Sequence, residues 1–349
     1  MKKWLVGIAV VLLTLGIGGY FVYDYFTHLG DPISIETQEA QRFEVVSGSS
    51  FKAVVNNLEQ KGLIRSAMYA QYLNRSENFS LKAGEFEISP DMSTQEILSH
   101  LSNSQNIIEK VYRFTLIPGK RQNDYAKSIA SHGFLREQEI SEAWNDEAFL
   151  RPLIDKYSVL TDDILTDNLF SKLEGYLFPE TYEVMQDATI LQVTTKILDQ
   201  MERYYVANKA AFDATELSIH EVMTLASIVQ AEASRSDDMA KVGSVIYNRL
   251  ADNIKLGMSV TVCYAKQIFD DWEECERTSF DSPYNTYQHA GIPIGPIGNA
   301  SVPAIHGVIQ PIETSYYYFI ADVLGDNTMY FAETFSEHQA NINKYLKRD

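Results

Sequence analysis

The chain opens on an apolar run. Residues 4–23 carry no charged side chain, and they follow Lys2 and Lys3. At about 1.5 Å per residue, a helix of this length spans about 30 Å, the thickness of a bilayer's hydrocarbon core. We therefore predict a single-pass anchor over residues 4–26 in the cytoplasmic membrane. Residues 1–3 are expected inside and the rest of the chain outside, because positive flanks stay in the cytoplasm.

A cleaved signal peptide is the alternative interpretation of this run. It would have a shorter apolar core followed by small residues, whereas Tyr23–Phe26 consists mostly of bulky aromatic residues. We favour the uncleaved anchor and interpret the polar residues 27–41 as a linker.

Residues 42–105 alternate between strand and helix patterns. Arg42–Gly48 reads as a short strand that ends in a turn, and the apolar residues of 51–62 recur at helical spacing. Lys82–Ile88 has a second strand pattern, and Ser93–Glu96 has the form of a capping box before another helix. These patterns predict a small, separable α/β module over 42–105.

Part of this pattern recurs 71 residues later in the chain. Arg113–Gly119 corresponds to Arg42–Gly48, and Gly133 corresponds to Gly62, which is expected to end the preceding helix. Two explanations stay open. Strand–turn–helix units are common, so the match can be coincidental, or the chain contains a duplicated α/β module of a kind that binds glycan.

Residues 106–349 have the patterns of a larger α+β domain. Residues 135–170 are acidic and helical in character, and a helix is predicted over about 189–207. Ser315–Asp322 predicts a central strand with its aromatic side chains in the core. The predicted fold class is therefore α+β, with an N-terminal membrane helix, a small module and a larger domain.

Composition and charge exclude several classes of function. The formal net charge is −18 over 349 residues and no stripe of Lys and Arg is present, which argues against nucleic acid as a partner. The seven histidines are scattered, and Cys263 and Cys275 lie outside any metal-binding motif, so we predict neither a metal nor a cofactor. The sequence leaves open whether these two cysteines pair.

The main candidate for chemistry is Glu232, at the end of a strongly apolar helical pattern. Steps of three and four residues place it on the same face as Ile228 and Val229. An apolar environment favours the protonated form of a carboxyl group, as a general acid near neutral pH requires. The alternative is that Glu232 turns to solvent or pairs with Arg235 or Arg249.

Two downstream loops have a composition that suits sugar binding. Ser282–Tyr287 combines aromatic rings with an amide, and we assign candidate substrate-binding roles to Tyr284, Asn285 and Tyr287. Gly291–Gly298 is rich in glycine and proline. The alternative is that the glycines and prolines only set turns.

Several segments resemble the YceG-like family of endolytic murein transglycosylases, also called MltG. They occur in the family's order, and the resemblance runs from about residue 40 to the C-terminus. Several spaced motifs in one order are far more specific than any one of them. The matching segments are Leu173–Tyr182, Leu225–Glu232, Asn248–Leu250, Ser282–Tyr287, Gly291–Ile297 and Tyr318–Ile320.

The resemblance implies a membrane anchor, a LysM-like module and a catalytic domain. It implies cleavage of nascent peptidoglycan strands between N-acetylmuramic acid and N-acetylglucosamine, which leaves a 1,6-anhydromuramyl end. The family's catalytic glutamate falls on Glu232. Glu174 and Tyr176, in the first matched segment, are added as candidate substrate-binding residues. Peptidoglycan synthases (penicillin-binding proteins) are candidate partners.

The chain departs from the family pattern at two places. Ser259–Val262 stands where many members have Asp-Pro-Thr-Val, and Asn299–Ser301 stands where they have Asn-Pro-Gly. Any role of the family's aspartate is therefore not carried over to this chain.

Two alternatives to a lytic transglycosylase stay open. A muramidase that uses water would need a second carboxylate about 5–9.5 Å from Glu232. Glu174, Asp237 and Asp238 are the candidates for that carboxylate. The other alternative is a catalytically weak scaffold that binds glycan.

Overall fold

Contacts within the chain divide it into two units, Met1–Lys110 and Val111–Asp349. The structure, a computed structural model, describes residues 2–34, 39–108, 111–275 and 277–347, without the side chains of 2–11, 272 and 273.

The first unit combines one long helix with a small layer of strands and helices. Strands β1 and β2 pair antiparallel with Phe43 opposite Phe86, and three helices bury their apolar faces on this pair. The elements are α1 (Lys2–His28), β1 (Gln41–Val45), α2 (Phe51–Gln60), α3 (Ala67–Glu77), β2 (Gly84–Ile88) and α4 (Thr94–Ser102).

The predicted membrane span falls within helix α1. Among the residues that the structure describes, no helix is both long enough and apolar enough to cross a bilayer. Residues 4–11 of the predicted span lie outside the residues with described side chains.

The first residues of the predicted linker are held on the small module. The Arg65 guanidinium donates to the carbonyl oxygens of Asp31 and Pro32, and the Thr94 amide donates to the carbonyl of Gly30 at 2.9 Å. Residues 35–38 lie outside the described residues.

The second unit is mainly helical and carries two short antiparallel strand pairs, β3–β4 and β5–β6. Its elements are β3 (Val111–Thr115), α5 (Gln122–Ala130), α6 (Glu137–Ala143), α7 (Glu147–Lys156), β4 (Thr181–Met185), α8 (Ile190–Asp213), α9 (Ile219–Glu232), α10 (Ser236–Ala251), α11 (Ser259–Lys266), α12 (Trp272–Cys275), α13 (Val302–Ile309), β5 (Tyr318–Ala321), β6 (Met329–Ala332) and α14 (Phe335–Tyr345).

The recurrence seen in the sequence is confirmed at the level of secondary structure. Strand β3 and helix α5 follow the same order as β1 and α2, and the intervening turns place Gly48 and Gly119 at the same φ of +79°. Phe43 and Phe114 each lie opposite an aromatic residue on the paired strand.

The central strand predicted over Ser315–Asp322 is wrong. The structure has a strand only at Tyr318–Ala321, in an isolated hairpin with β6, and only Ile320 within it is buried. Aromatic enrichment signals a strand but not its place in a sheet. In the described part of the chain no third strand pairs with the hairpin, and its aromatic rings stay partly exposed.

Helices α9, α10 and α13 pack together and fix the end of α9. A Cβ atom added to Gly243 on α10 would lie 1.9 Å from the Gly307 carbonyl oxygen on α13, so the two helices cross at a distance that only glycine permits. The structure also answers the open question of the cysteines: Cys263 and Cys275 form a disulfide that joins α11 to α12.

Candidate active site

Glu232 is the last residue of helix α9. The helix starts at a capping box of Ser218 and Glu221, and the segment from Val222 to Val229 is wholly buried. Glu232 itself is half-buried, because it lies one turn beyond the last buried residue. The apolar helix therefore places the Glu232 carboxyl group at the edge of the core.

A cleft of about 480 Å³ opens at this edge. Its polar wall comes from the ends of α9, α10 and α11 and from a loop, while the hairpin β5–β6 and helix α14 supply most of its apolar residues. The lining residues are Glu232, Arg249, Gly257, Met258, Ser259, Tyr287, Phe319, Ile320, Ala321, Val323, Met329, His338, Ile342 and Leu346.

Arg249 brings a positive charge into the same cleft. Its guanidinium donates to the carbonyl oxygens of Tyr317 and Leu256 and lies 5.1 Å from the centre of the Tyr318 ring. Burial lowers the pKa of Arg249, and the nearby Glu232 carboxylate opposes this shift. Glu232 and Arg249 therefore lie close enough in the cleft for their charges to interact.

Two backbone-to-side-chain hydrogen bonds fix the last turns of α9. The Ile297 amide donates to the Ser227 hydroxyl at 3.0 Å, and the Ser301 amide donates to Oε1 of Gln230 at 2.9 Å. The loop that carries the second departure from the family pattern thus buttresses the helix that carries Glu232.

Of the loop residues predicted to bind substrate, only Tyr287 lines the cleft. Asn285 is fully buried; its side-chain amide donates to the Thr278 and Phe280 carbonyls, and its Oδ1 accepts from the Tyr287 amide at 2.9 Å. Tyr284 is 1% exposed. Asn285 and Tyr284 hold the loop that presents Tyr287, and their roles toward substrate stay predictions.

Glu174 and Tyr176 are also buried and do not line the cleft. Oε1 of Glu174 accepts from the Gln122 amide at 2.8 Å and from Nδ2 of Asn299 at 3.1 Å, and its Oε2 lies 3.2 Å from the Tyr264 hydroxyl. Burial raises the pKa of Glu174 to about 8, against the opposing effect of these hydrogen bonds. The substrate-binding roles of Glu174 and Tyr176 stay predictions.

Two features of the site were missed by the sequence analysis. Helix α14 lines the cleft with His338 and Ile342, and Leu346 lines it directly after the end of the helix; their spacing of four residues is a signal that the sequence contained. Ser259, at the first departure from the family pattern, lines the cleft as the first residue of α11. Within the described part of the chain, no group of three or more His, Cys, Asp or Glu side chains is placed to hold a metal ion.

Known proteins resemble the chain over most of its length. It is 26% identical to the endolytic murein transglycosylase of Streptococcus pneumoniae serotype 2 (strain D39 / NCTC 7466), over 99% of this chain and 66% of that protein. It is 29% identical to the protein of the same name from Bacillus subtilis (strain 168), over 95% of this chain and 91% of that protein. The chain therefore spans slightly less than two thirds of the length of the streptococcal relative.

A solved structure and a family profile agree with these relatives. The crystal structure of a protein described as yceG-like, from Listeria monocytogenes, matches 87% of this chain and 99% of that chain, with 28% identity and a TM-score of 0.61. The profile of the YceG-like family matches residues 43–344, a span that contains nearly all of the small module, helix α9 with Glu232 and every residue of the cleft but one. Because the family profile matches most of the chain, the chain belongs to the YceG-like family.

Proposed function

We propose that this protein is an endolytic murein transglycosylase that cuts peptidoglycan glycan strands outside the cytoplasmic membrane. The observation that carries the proposal is Glu232, a half-buried carboxyl group in a cleft of about 480 Å³. The names of the streptococcal and Bacillus relatives support the same activity.

In the proposed reaction, Glu232 acts first as an acid and then as a base. It protonates the glycosidic oxygen between N-acetylmuramic acid and N-acetylglucosamine as that bond breaks. It then takes the proton from the muramyl C6 hydroxyl as this oxygen bonds to C1. The product is a 1,6-anhydromuramyl end, and the proton returns to Glu232. The reaction therefore requires neither water nor a second carboxylate.

The composition of the cleft supports this route over hydrolysis. Among the described residues, Glu232 is the sole carboxylate that lines it. Glu174 is buried in a separate network, while Asp237 and Asp238 lie in the first turn of α10 and do not line the cleft. A hydrolase with two carboxylates would need a partner about 5–9.5 Å away to activate water or form a covalent intermediate.

Product analysis tests the proposal. The purified protein should release fragments with anhydromuramyl ends from uncrosslinked glycan strands, as read by mass spectrometry. Reducing muramyl ends would favour a water-using muramidase, and intact strands would favour a glycan-binding scaffold.

The small module is proposed to be LysM-like and to help hold the strand. A groove of about 140 Å³ lies between the β1–α2 turn and the loop that precedes β2. Val46 lines this groove and is 60% exposed, so that a ligand can reach it. Such a partly apolar recess suits the acetamido methyl groups of a glycan.

A charge placed in this groove should weaken strand binding. We expect Val46→Asp to lower the affinity for glycan strands several-fold with little change in melting temperature, because the side chain is exposed. Met68→Asp is the matched control, since Met68 is 68% exposed in the same unit but does not line the groove. Equal affinities of the two variants in a pull-down titration would argue against the groove.

We further propose that helix α1 is the single-pass anchor, with Lys2 and Lys3 inside. The motivation is the uncharged run of residues 4–23. Protease added to intact spheroplasts should remove the part of the chain beyond about residue 30. Protection of the C-terminus would contradict this topology. An extracytoplasmic position next to the membrane would place the enzyme near peptidoglycan synthases, its proposed partners.

A further inference from the structure

One histidine of the cleft has no role in the proposed reaction. His338 lies on helix α14, and together with Ile342 and Leu346, one and two turns further on, it forms one wall of the cleft that contains Glu232. His338 shares this cleft with Glu232 and Arg249.

The imidazole ring is held in place by aromatic stacking. It lies against the Tyr318 ring, with 5.2 Å between centroids and 26° between planes. The same tyrosine ring lies 5.1 Å from the Arg249 guanidinium. Tyr318 therefore links His338 and Arg249, and this packing restricts the orientation of the imidazole.

The two ring nitrogens differ in their surroundings. Nδ1 is enclosed by protein and has no hydrogen-bond partner among the described residues. Nε2 is not among these enclosed nitrogens without a partner. A buried N–H without an acceptor is costlier than a bare acceptor nitrogen, so the neutral ring should carry its proton on Nε2. The donor of the neutral ring is then Nε2, on a residue that lines the cleft.

The surroundings also keep the ring neutral. Burial lowers the pKa of His338, and the positive charge of Arg249 lowers it further. Glu232 lines the same cleft, and Glu337 precedes His338 on helix α14, where its carboxylate accepts from the amides of Glu333 and Thr334. A neutral imidazole can donate a hydrogen bond without adding positive charge beside Arg249.

We propose that His338 binds the glycan strand directly, by donating a hydrogen bond from Nε2 to a sugar oxygen. The hydroxyl and acetamido oxygens of the strand are neutral acceptors, which suits a neutral donor. This inference rests on the proposed function, since it names a contact of the same substrate in the same cleft.

Binding is best measured with the full-length chain in a Glu232→Gln background, because strands are then not cleaved. His338→Phe keeps a ring to stack on Tyr318 but removes both nitrogens, and it should weaken binding of uncrosslinked glycan strands about three- to tenfold, the value of one neutral hydrogen bond. His132→Phe is the matched control. His132 also contacts aromatic rings, but it lies outside the cleft, so its loss should leave the affinity unchanged.

A second pair of variants gives the same answer if the phenylalanine variant does not fold. Glutamine at position 338 can place its amide where Nε2 lies, whereas asparagine is too short to reach there. His338→Gln should therefore bind strands several-fold more tightly than His338→Asn, although both lack the ring. Equal affinities within this pair, or an unchanged affinity of a folded His338→Phe variant, would overturn the proposal. A wild-type chain that binds strands but does not cut them would refute the proposed function and leave this binding test intact.

Discussion

Replacing Glu232 with glutamine should abolish the formation of anhydromuramyl ends while the protein stays folded. Glutamine has nearly the same volume and can still form hydrogen bonds, but it cannot donate and recover a proton. General acid–base catalysis contributes about 10²–10⁴ in rate, and in the proposed reaction one residue supplies both halves of it. We expect turnover to fall by at least this factor and the melting temperature to change little.

The controls for this prediction are the other carboxylates that were considered from sequence. Asp237→Asn and Asp238→Asn should each keep measurable activity, because neither side chain lines the cleft and the C6 hydroxyl takes the place of an activated water. Anhydromuramyl products at a near wild-type rate from Glu232→Gln would disprove the assignment. A loss of activity in the Asp237 or Asp238 variant with normal folding would instead point to a second catalytic carboxylate.

Glu174 should tolerate glutamine but not alanine. Its side chain is 2% exposed and contacts the Gln122 amide, the Asn299 amide group and the Tyr264 hydroxyl. Alanine leaves these groups without their partner inside the core, at a cost of about 1–3 kcal/mol for each buried group left unsatisfied. With a shift of about 2–4 °C per kcal/mol for a domain of this size, the melting temperature of Glu174→Ala should fall by roughly 10 °C.

The glutamine variant should keep both fold and activity, because it resembles the protonated acid. Burial raises the pKa of Glu174 from its ordinary value of 4.5 to about 8, so the folded protein holds a proton that the unfolded chain releases between these values. Folding stability that depends on this proton is therefore lost as the pH rises through that window. Glu174→Gln lacks the titrating group. The melting temperature of this variant minus that of the wild type should therefore increase from pH 5 to pH 8.

An exposed carboxylate in the same segment provides the comparison. Glu180→Gln, which changes an exposed carboxylate, is the matched control, and its melting temperature is compared with that of the wild type over the same pH range. If Glu174→Gln also follows the wild type across this range, Glu174 is ionised in the folded protein, and the neutral-acid interpretation fails. An inactive Glu174→Gln variant with normal stability would revive Glu174 as a functional carboxylate.

Local patterns in the sequence determined the helices and the place of Glu232. Capping boxes and apolar spacing are properties of neighbouring residues, so Ser93–Glu96 and the helix that ends at Glu232 could be predicted without knowledge of the rest of the chain. The same holds for the recurrence of the strand, turn and helix after 71 residues, which the strand pairing of the structure then supported.

The tertiary structure decided which residues meet at the cleft. Arg249, Tyr287 and His338 come from three distant parts of the chain, and no periodicity connects them to Glu232. The sequence also did not indicate which polar residues are buried. Asn285 is a residue type that suits sugar binding, yet its side-chain amide forms hydrogen bonds with the backbone of its own loop. Local propensity acts over a few residues, whereas the cleft, the Cys263–Cys275 disulfide and the edge position of β5 depend on contacts across the fold.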